Sequence, residues 1–104
     1  MIIKNRDALA TTELRKQALD IIEAGIARVL PPNIMKSAVC YDKINQTLTI
    51  SGDKYSLSRG RAFVIGGGKA SGLMAETLEK IIPPENITAG VVNCKSGLYK
   101  TSKT

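Results

Sequence analysis

The sequence contains no histidine and no tryptophan. Without histidine the chain cannot supply a Ser-His-Asp triad, a Cys-His pair or a histidine-ligated metal, which removes most hydrolase chemistries. Aromatic residues are scarce at 4%, namely Phe63, Tyr41, Tyr55 and Tyr99, so a core has to be assembled from Ile, Leu, Val and Ala. The two cysteines, Cys40 and Cys94, lie far apart and have no metal-type spacing. Met1 to Asn5 lack the long apolar run of a signal peptide, and a reducing cytoplasm is the expected setting. Lys or Arg interrupts every apolar stretch well before the roughly 20 residues that a spanning helix needs, so no membrane partner is expected.

What is present is an ordinary globular composition: 104 residues, 43% hydrophobic, with 15 Lys and Arg against 9 Asp and Glu, a net charge of +6. That length predicts a single domain over residues 1–104 with a modest core. From Thr11 to Leu30 the apolar residues Leu14, Ala18, Ile21, Ile22, Gly25 and Val29 fall at intervals of four, three, one, three and four, one face of a helix. Thr11 or Thr12 suits its N-cap, Glu13 its first turn and Arg28 its last, and Pro31-Pro32 ends it. Asn33 is placed to cap a short second helix carrying Ile34, Met35, Ala38 and Val39. Two short β runs, Thr47 to Ile50 and Lys54 to Leu57, flank Ser51-Gly52-Asp53 and predict a hairpin.

Ala62 to Ile65 is continuously apolar rather than alternating, the pattern of an interior parallel strand covered on both faces. After Gly66-Gly67-Gly68, the residues Ala70, Leu73, Met74, Leu78, Ile81 and Ile82 predict a second amphipathic helix, with Glu76 and Lys80 paired on its wet face, ended by Pro83-Pro84. Ala89 to Cys94 is another β run, so residues 62–94 spell a βαβ unit in an α/β protein. The small, basic stretch from Tyr99 to Thr104 is expected to fray.

In such a unit the turn after the first strand faces the unpaired N–H groups and partial positive charge of the helix that follows, a place where anions bind. Gly66, Gly67 and Gly68 allow close backbone approach, and Lys69 adds a mobile cation. The P-loop pattern fails because residue 63 is Phe and residue 70 is Ala; the dinucleotide fingerprint fails because Ser71 stands where its third glycine belongs. The same glycines would also serve a tight turn that binds nothing, with Lys69 simply solvated. Between Asp53 and Glu76 the chain carries Lys54, Arg59, Arg61 and Lys69 and no acid, a field that would attract an anion if it gathered at one end of the sheet. Asp7, Asp20, Glu23, Asp42 and Asp53 are the acids open to a metal, but they form no ligand cluster; each is expected to be solvated surface, and no metal residue is assigned.

The string from Arg59 to Ser71, R-G-R-A-F-V-I-G-G-G-K-A-S, followed by an apolar helix and Gly90-Val91-Val92, resembles the amino-terminal part of the glycerate 2-kinases that carry a carboxy-terminal MOFRL domain. The earlier helix, with Ala18-Leu19 and Ile22-Glu23-Ala24-Gly25-Ile26 ahead of Pro31, is similar as well. That family often has Ala at the position of Gly67. The resemblance implies a Rossmann-like unit, here an incomplete part of a larger three-layer domain. It also implies transfer of the ATP γ-phosphoryl, with Mg²⁺, to the 2-hydroxyl of D-glycerate. It makes Lys69 the catalytic lysine and Gly66, Gly67, Gly68 and Ser71 the residues around the substrate or phosphate. Family enzymes are several times longer, so this chain is expected to be inactive alone. Two other functions fit the composition: an anion- or nucleic-acid-binding module, disfavoured by dispersed basic residues and few aromatics, and a self-associating fragment whose sheet edges pair with another copy.

Overall fold

The computed structural model describes all residues except Met1, Ser96 and Leu98. It is an α/β protein. A single turn of helix, α1 (Arg6–Leu9), leads into the long helix α2 (Glu13–Val29). The Thr12 hydroxyl accepts from the Arg15 N–H and caps α2 as expected. The clamp between the two helices is Arg6, whose guanidinium binds Asp20 and Glu23; Glu23 also accepts from the Ile3 N–H at 3.1 Å. Both carboxylates are therefore in ion pairs, Asp20 on the exposed surface as expected and Glu23 half-buried.

Helix α3 (Pro31–Ala38) starts earlier than the Asn33 cap predicts, with Leu30 as N-cap and prolines in its first turn, where the missing N–H is no loss. Asn33 does a different job: its side-chain N–H donates to the Ala27 carbonyl at 2.6 Å and so satisfies the end of α2. Val39 lies outside the helix. It opens strand β1 (Val39–Asp42), which pairs antiparallel with β2 (Thr47–Ile50), itself paired with β3 (Asp53–Ser56). The predicted hairpin is thus two strands of a three-stranded meander. Asp42 turns the chain between β1 and β2 by accepting from the N–H groups of Ile44 and Asn45 and from the Asn45 side chain. The side-chain bond from Asn45 leads in holding its carboxyl below the usual range. Ser51 and Gly52 both take positive φ, +49° and +93°, the backbone of a tight hairpin turn.

Strand β4 (Phe63–Gly67) runs two residues further into the glycines than the apolar run suggests. Helix α4 (Ser71–Ile81), a short 3₁₀ turn at Pro84–Asn86 and strand β5 (Ala89–Asn93) follow. β4 and β5 pair parallel with Phe63 opposite Ala89 and Gly67 opposite Asn93, which completes the βαβ unit. Coverage of both faces does not hold among the described residues: β4 has one strand neighbour, α4 packs against one face, and Phe63 and Ile65 are 56% and 83% exposed on the other. Among the described residues the buried apolar side chains are Leu19, Met35, Ala75, Ile82 and Ile87, an aliphatic core with no aromatic ring. The Asn86 side chain donates to the Tyr41 hydroxyl at 2.6 Å, tying the meander to the βαβ unit.

Candidate functional site

The three glycines lie at the carboxyl end of β4 and do different things. A Cβ on Gly66 would sit 3.0 Å from Val92 Cγ1 and 3.4 Å from Ser71 Cβ, so this position lets β4, β5 and α4 close together. Gly68 has φ +107°, a conformation that L side chains rarely take, and the space where its Cβ would project is open. Its N–H donates to the Asn93 carbonyl at 3.0 Å, the last rung joining the turn to β5.

Ser71 is buried, and its hydroxyl reaches back to the carbonyls of Gly68 at 2.7 Å and Asn93 at 3.2 Å. The Ser71 N–H also donates to the Gly68 carbonyl. Ser71 and the Asn93 backbone thus staple the turn from inside, with the serine proton spent on main-chain oxygens. The part played by Asn93 is invisible in the sequence because it is a carbonyl, which every residue carries.

Lys69 is exposed at the top of the turn and makes no ion pair among the described residues. Helix α4 begins at the next residue but one, and its N-cap, Ala70, offers no side-chain acceptor. No acid lies in its first turn. The helix start therefore keeps its partial positive charge with no protein anion on it, although the Ser71 N–H is already taken by the Gly68 carbonyl and Gly72 is buried. Cys94 and Tyr99 close the far side of Gly72: a Cβ there would lie 2.9 Å from Cys94 Sγ and run into the Tyr99 ring. Both cysteines are free thiols.

A cleft of about 290 Å³ is lined by Gly66, Gly67 and Ser71 of the turn together with the apolar Met35, Val64, Met74, Ala75, Leu78 and Val92. The cleft is mostly apolar, whereas Gly68 and Lys69 lie outside it and face the open side. The basic residues do not all gather there. Arg59 and Arg61 precede β4 and lie at its amino end, with Arg61 5.6 Å from the Phe63 ring centre, on the order of 15 Å of strand away from Lys69. Lys95 follows β5 and shares the carboxyl end with Lys69.

Among the described residues no three His, Cys, Asp or Glu side chains stand close enough to hold a metal ion. The acids of α4 are engaged elsewhere. Glu76 accepts from Lys80 Nζ at 3.0 Å, the predicted pair, and from the Lys100 N–H. Glu79 accepts from Ser102 N–H and hydroxyl, Lys103 N–H, and Thr104 N–H and hydroxyl, at 2.6 to 3.1 Å. The stretch expected to fray is instead tied down, because five donors converge on one carboxylate.

Residues 17–104 match the family described as Domain of unknown function (DUF4147). A crystal structure of the PH0495 protein from Pyrococcus horikoshii OT3 has a similar fold, with a TM-score of 0.66 and 24% identity, over 88% of this chain and 20% of that one. The chain thus spans one fifth of the length of that protein. No curated protein matches. Among the described residues no helix is long and apolar enough to cross a membrane.

Proposed function

The chain belongs to the DUF4147 family, the amino-terminal domain of glycerate kinase-type, MOFRL-associated proteins, and from that premise we propose that it forms the phosphate-facing segment of a glycerate 2-kinase. In this reading the complete enzyme moves the γ-phosphoryl of ATP to the 2-hydroxyl of D-glycerate. The observation that carries it is the turn itself: a positive-φ glycine with open space above it, a free-standing lysine beside it, and an α-helix start with no protein anion on it.

The residues divide the work. Gly66 and Ser71 hold the shape of the turn, Gly67 and Gly68 leave the backbone accessible, and Lys69 places its ammonium against the charge that spreads over the phosphoryl oxygens. Phosphoryl transfer depends mainly on such positioning and electrostatics. ATP, when bound, supplies the phosphoryl group, and the turn suits a phosphate. The acids of this segment do not suit Mg²⁺, since no three of them cluster among the described residues, and no step is assigned to the metal here. A nucleotide pocket and a metal site would have to come from further chain, which fits the one-fifth span and makes the isolated chain a binding partner without turnover.

Amide NMR of the chain titrated with Mg-ATP and with D-glycerate tests this reading. Shifts centred on residues 66–72, weakened at least tenfold in Lys69→Ala with the rest of the spectrum unchanged, are expected, along with no ADP release in a coupled assay. Amides that ignore both ligands would overturn the phosphate-facing role. ADP release abolished by Lys69→Ala would retain the kinase chemistry and overturn the inactivity of the isolated chain.

A further inference from the structure

The apolar stripe of α2 points away from the molecule. The side chains that α2 turns inward are Leu19, which is buried, and the half-buried Glu23 and Ala27, each four residues on. Leu14, Ile21 and Val29 are 80%, 74% and 64% exposed, with Ala18, Ile22 and Gly25 exposed among them. At about 100° per residue these six positions share a stripe about 100° wide, on the side of the helix roughly opposite Leu19, Glu23 and Ala27. Nothing lies within 4 Å of where a Gly25 Cβ would project.

The spacing of that stripe is its own mirror: four, three, one, three, four, centred between Ile21 and Ile22. A two-fold axis through that midpoint lays a second α2 antiparallel on the first. Leu14 then meets Val29 of the second copy, Ala18 meets its Gly25, and Ile21 meets its Ile22. Self-complementarity of this kind is what an isologous contact requires, residue i touching j and j touching i. The small residues Ala18 and Gly25 face each other, which lets the helices approach closely. We propose that α2 is the contact surface of an antiparallel homodimer of this chain.

The exposed area agrees. A folded monomer of 11.2 kDa shows about 5,700 Å² of surface by the usual size scaling, whereas this chain shows 7588 Å². A helix of 17 residues is only about 25 Å long, so one helix pair falls short of the roughly 1,200 Å² of standard interfaces, and the dimer should depend on concentration.

Sedimentation equilibrium tests the proposal, with the apparent mass expected to rise from 11.2 kDa towards twice that value as concentration increases. Replacing both Ile21→Lys and Ile22→Lys, at exposed positions that leave the fold alone, is expected to hold the mass at the monomer value with unchanged far-UV circular dichroism. A wild-type chain that stays monomeric throughout, or a double variant that still dimerises, would overturn it. Cross-linking fixes the register independently, in a background carrying Cys40→Ser and Cys94→Ala. An oxidised mixture of Ala18→Cys and Gly25→Cys chains should form heterodimers. Either variant alone should not, because seven residues of helix separate the paired thiols by about 10 Å, beyond disulfide reach. Efficient disulfides in the single-variant samples would sink the antiparallel register.

Discussion

Gly67 and Gly68 are adjacent and look interchangeable in sequence, yet the backbone treats them differently. Gly68 holds φ +107°, so Gly68→Ala should cost about 1–3 kcal/mol in urea unfolding. Gly67 has no positive φ, and a Cβ there would meet nothing nearer than the Asn93 carbonyl at 3.9 Å. Gly67→Ala should therefore be neutral or stabilise by about 0.4–1 kcal/mol through a less free unfolded chain. Gly66→Ala falls between, since Val92 Cγ1 at 3.0 Å must give way. If all three variants cost the same, the turn does not have this geometry. The sequence places Lys69 and its glycines together because they are neighbours in the chain. It says nothing of Asn93, whose contribution is a main-chain carbonyl brought in by β5.

Among the elements, α2 and α4 are legible because their apolar periodicity spans enough residues to exclude other readings, and the two parallel strands because their short apolar runs flank a glycine turn and a helix, although β4 is not covered on both faces. β1 is not legible. Ile34, Met35, Ala38 and Val39 continue a helical spacing, and only the antiparallel partner β2 pulls Val39 out of it. Periodicity also reveals that a helix has an apolar stripe without revealing what covers it, which is why Leu14 and Ile21 are exposed while Leu19 is buried. The terminal stretch was misread for a related reason: its anchor is Glu79, more than twenty residues upstream. Burial pushes the Glu79 carboxyl up, but the N–H groups of Ser102 and Lys103 and the hydroxyls of Thr104 and Ser102 outweigh it, so the net direction is down. Glu76 is also lowered, first by its bond to Lys80. A carboxyl lowered in the folded state stabilises it fully above the ordinary value of 4.5 and loses that contribution as pH falls through the lower folded value. Residues 100–104 should therefore release from α4 on acidification below about pH 4.5. Amide exchange at Ser102, Lys103 and Thr104 checks this. Glu79→Gln should release the same amides at neutral pH, and continued protection there would show that the carboxylate is not the anchor.

At the scale of the molecule, the chain is drawn out: its radius of gyration is 17.5 Å and its extents are 58 × 30 × 18 Å, against about 13 Å for a compact domain of this length. Among the described residues the core is five apolar side chains, so much of the apolar surface that a larger fold would bury remains open. The α2 stripe and the outer face of β4 and β5 are the largest parts of it, and the first has the symmetry to be covered by a copy of itself.

The parallel ladder has a further consequence in time. In the meander, paired residues are between 3 (Ile50 and Asp53) and 11 (Val39 and Ile50) positions apart, so its rungs close short loops. Phe63 and Ala89 are 89 minus 63, or 26, positions apart, and every other rung of that ladder spans the same distance. Longer loops cost more entropy to close and close later, and here the closure waits on α4 lying between. The Gly68 rung to Asn93 belongs to that late ladder. The turn that offers itself to a phosphate is thus assembled after the meander as the chain leaves disorder, and an anion seated on it would act as a clasp on that later-closing ladder.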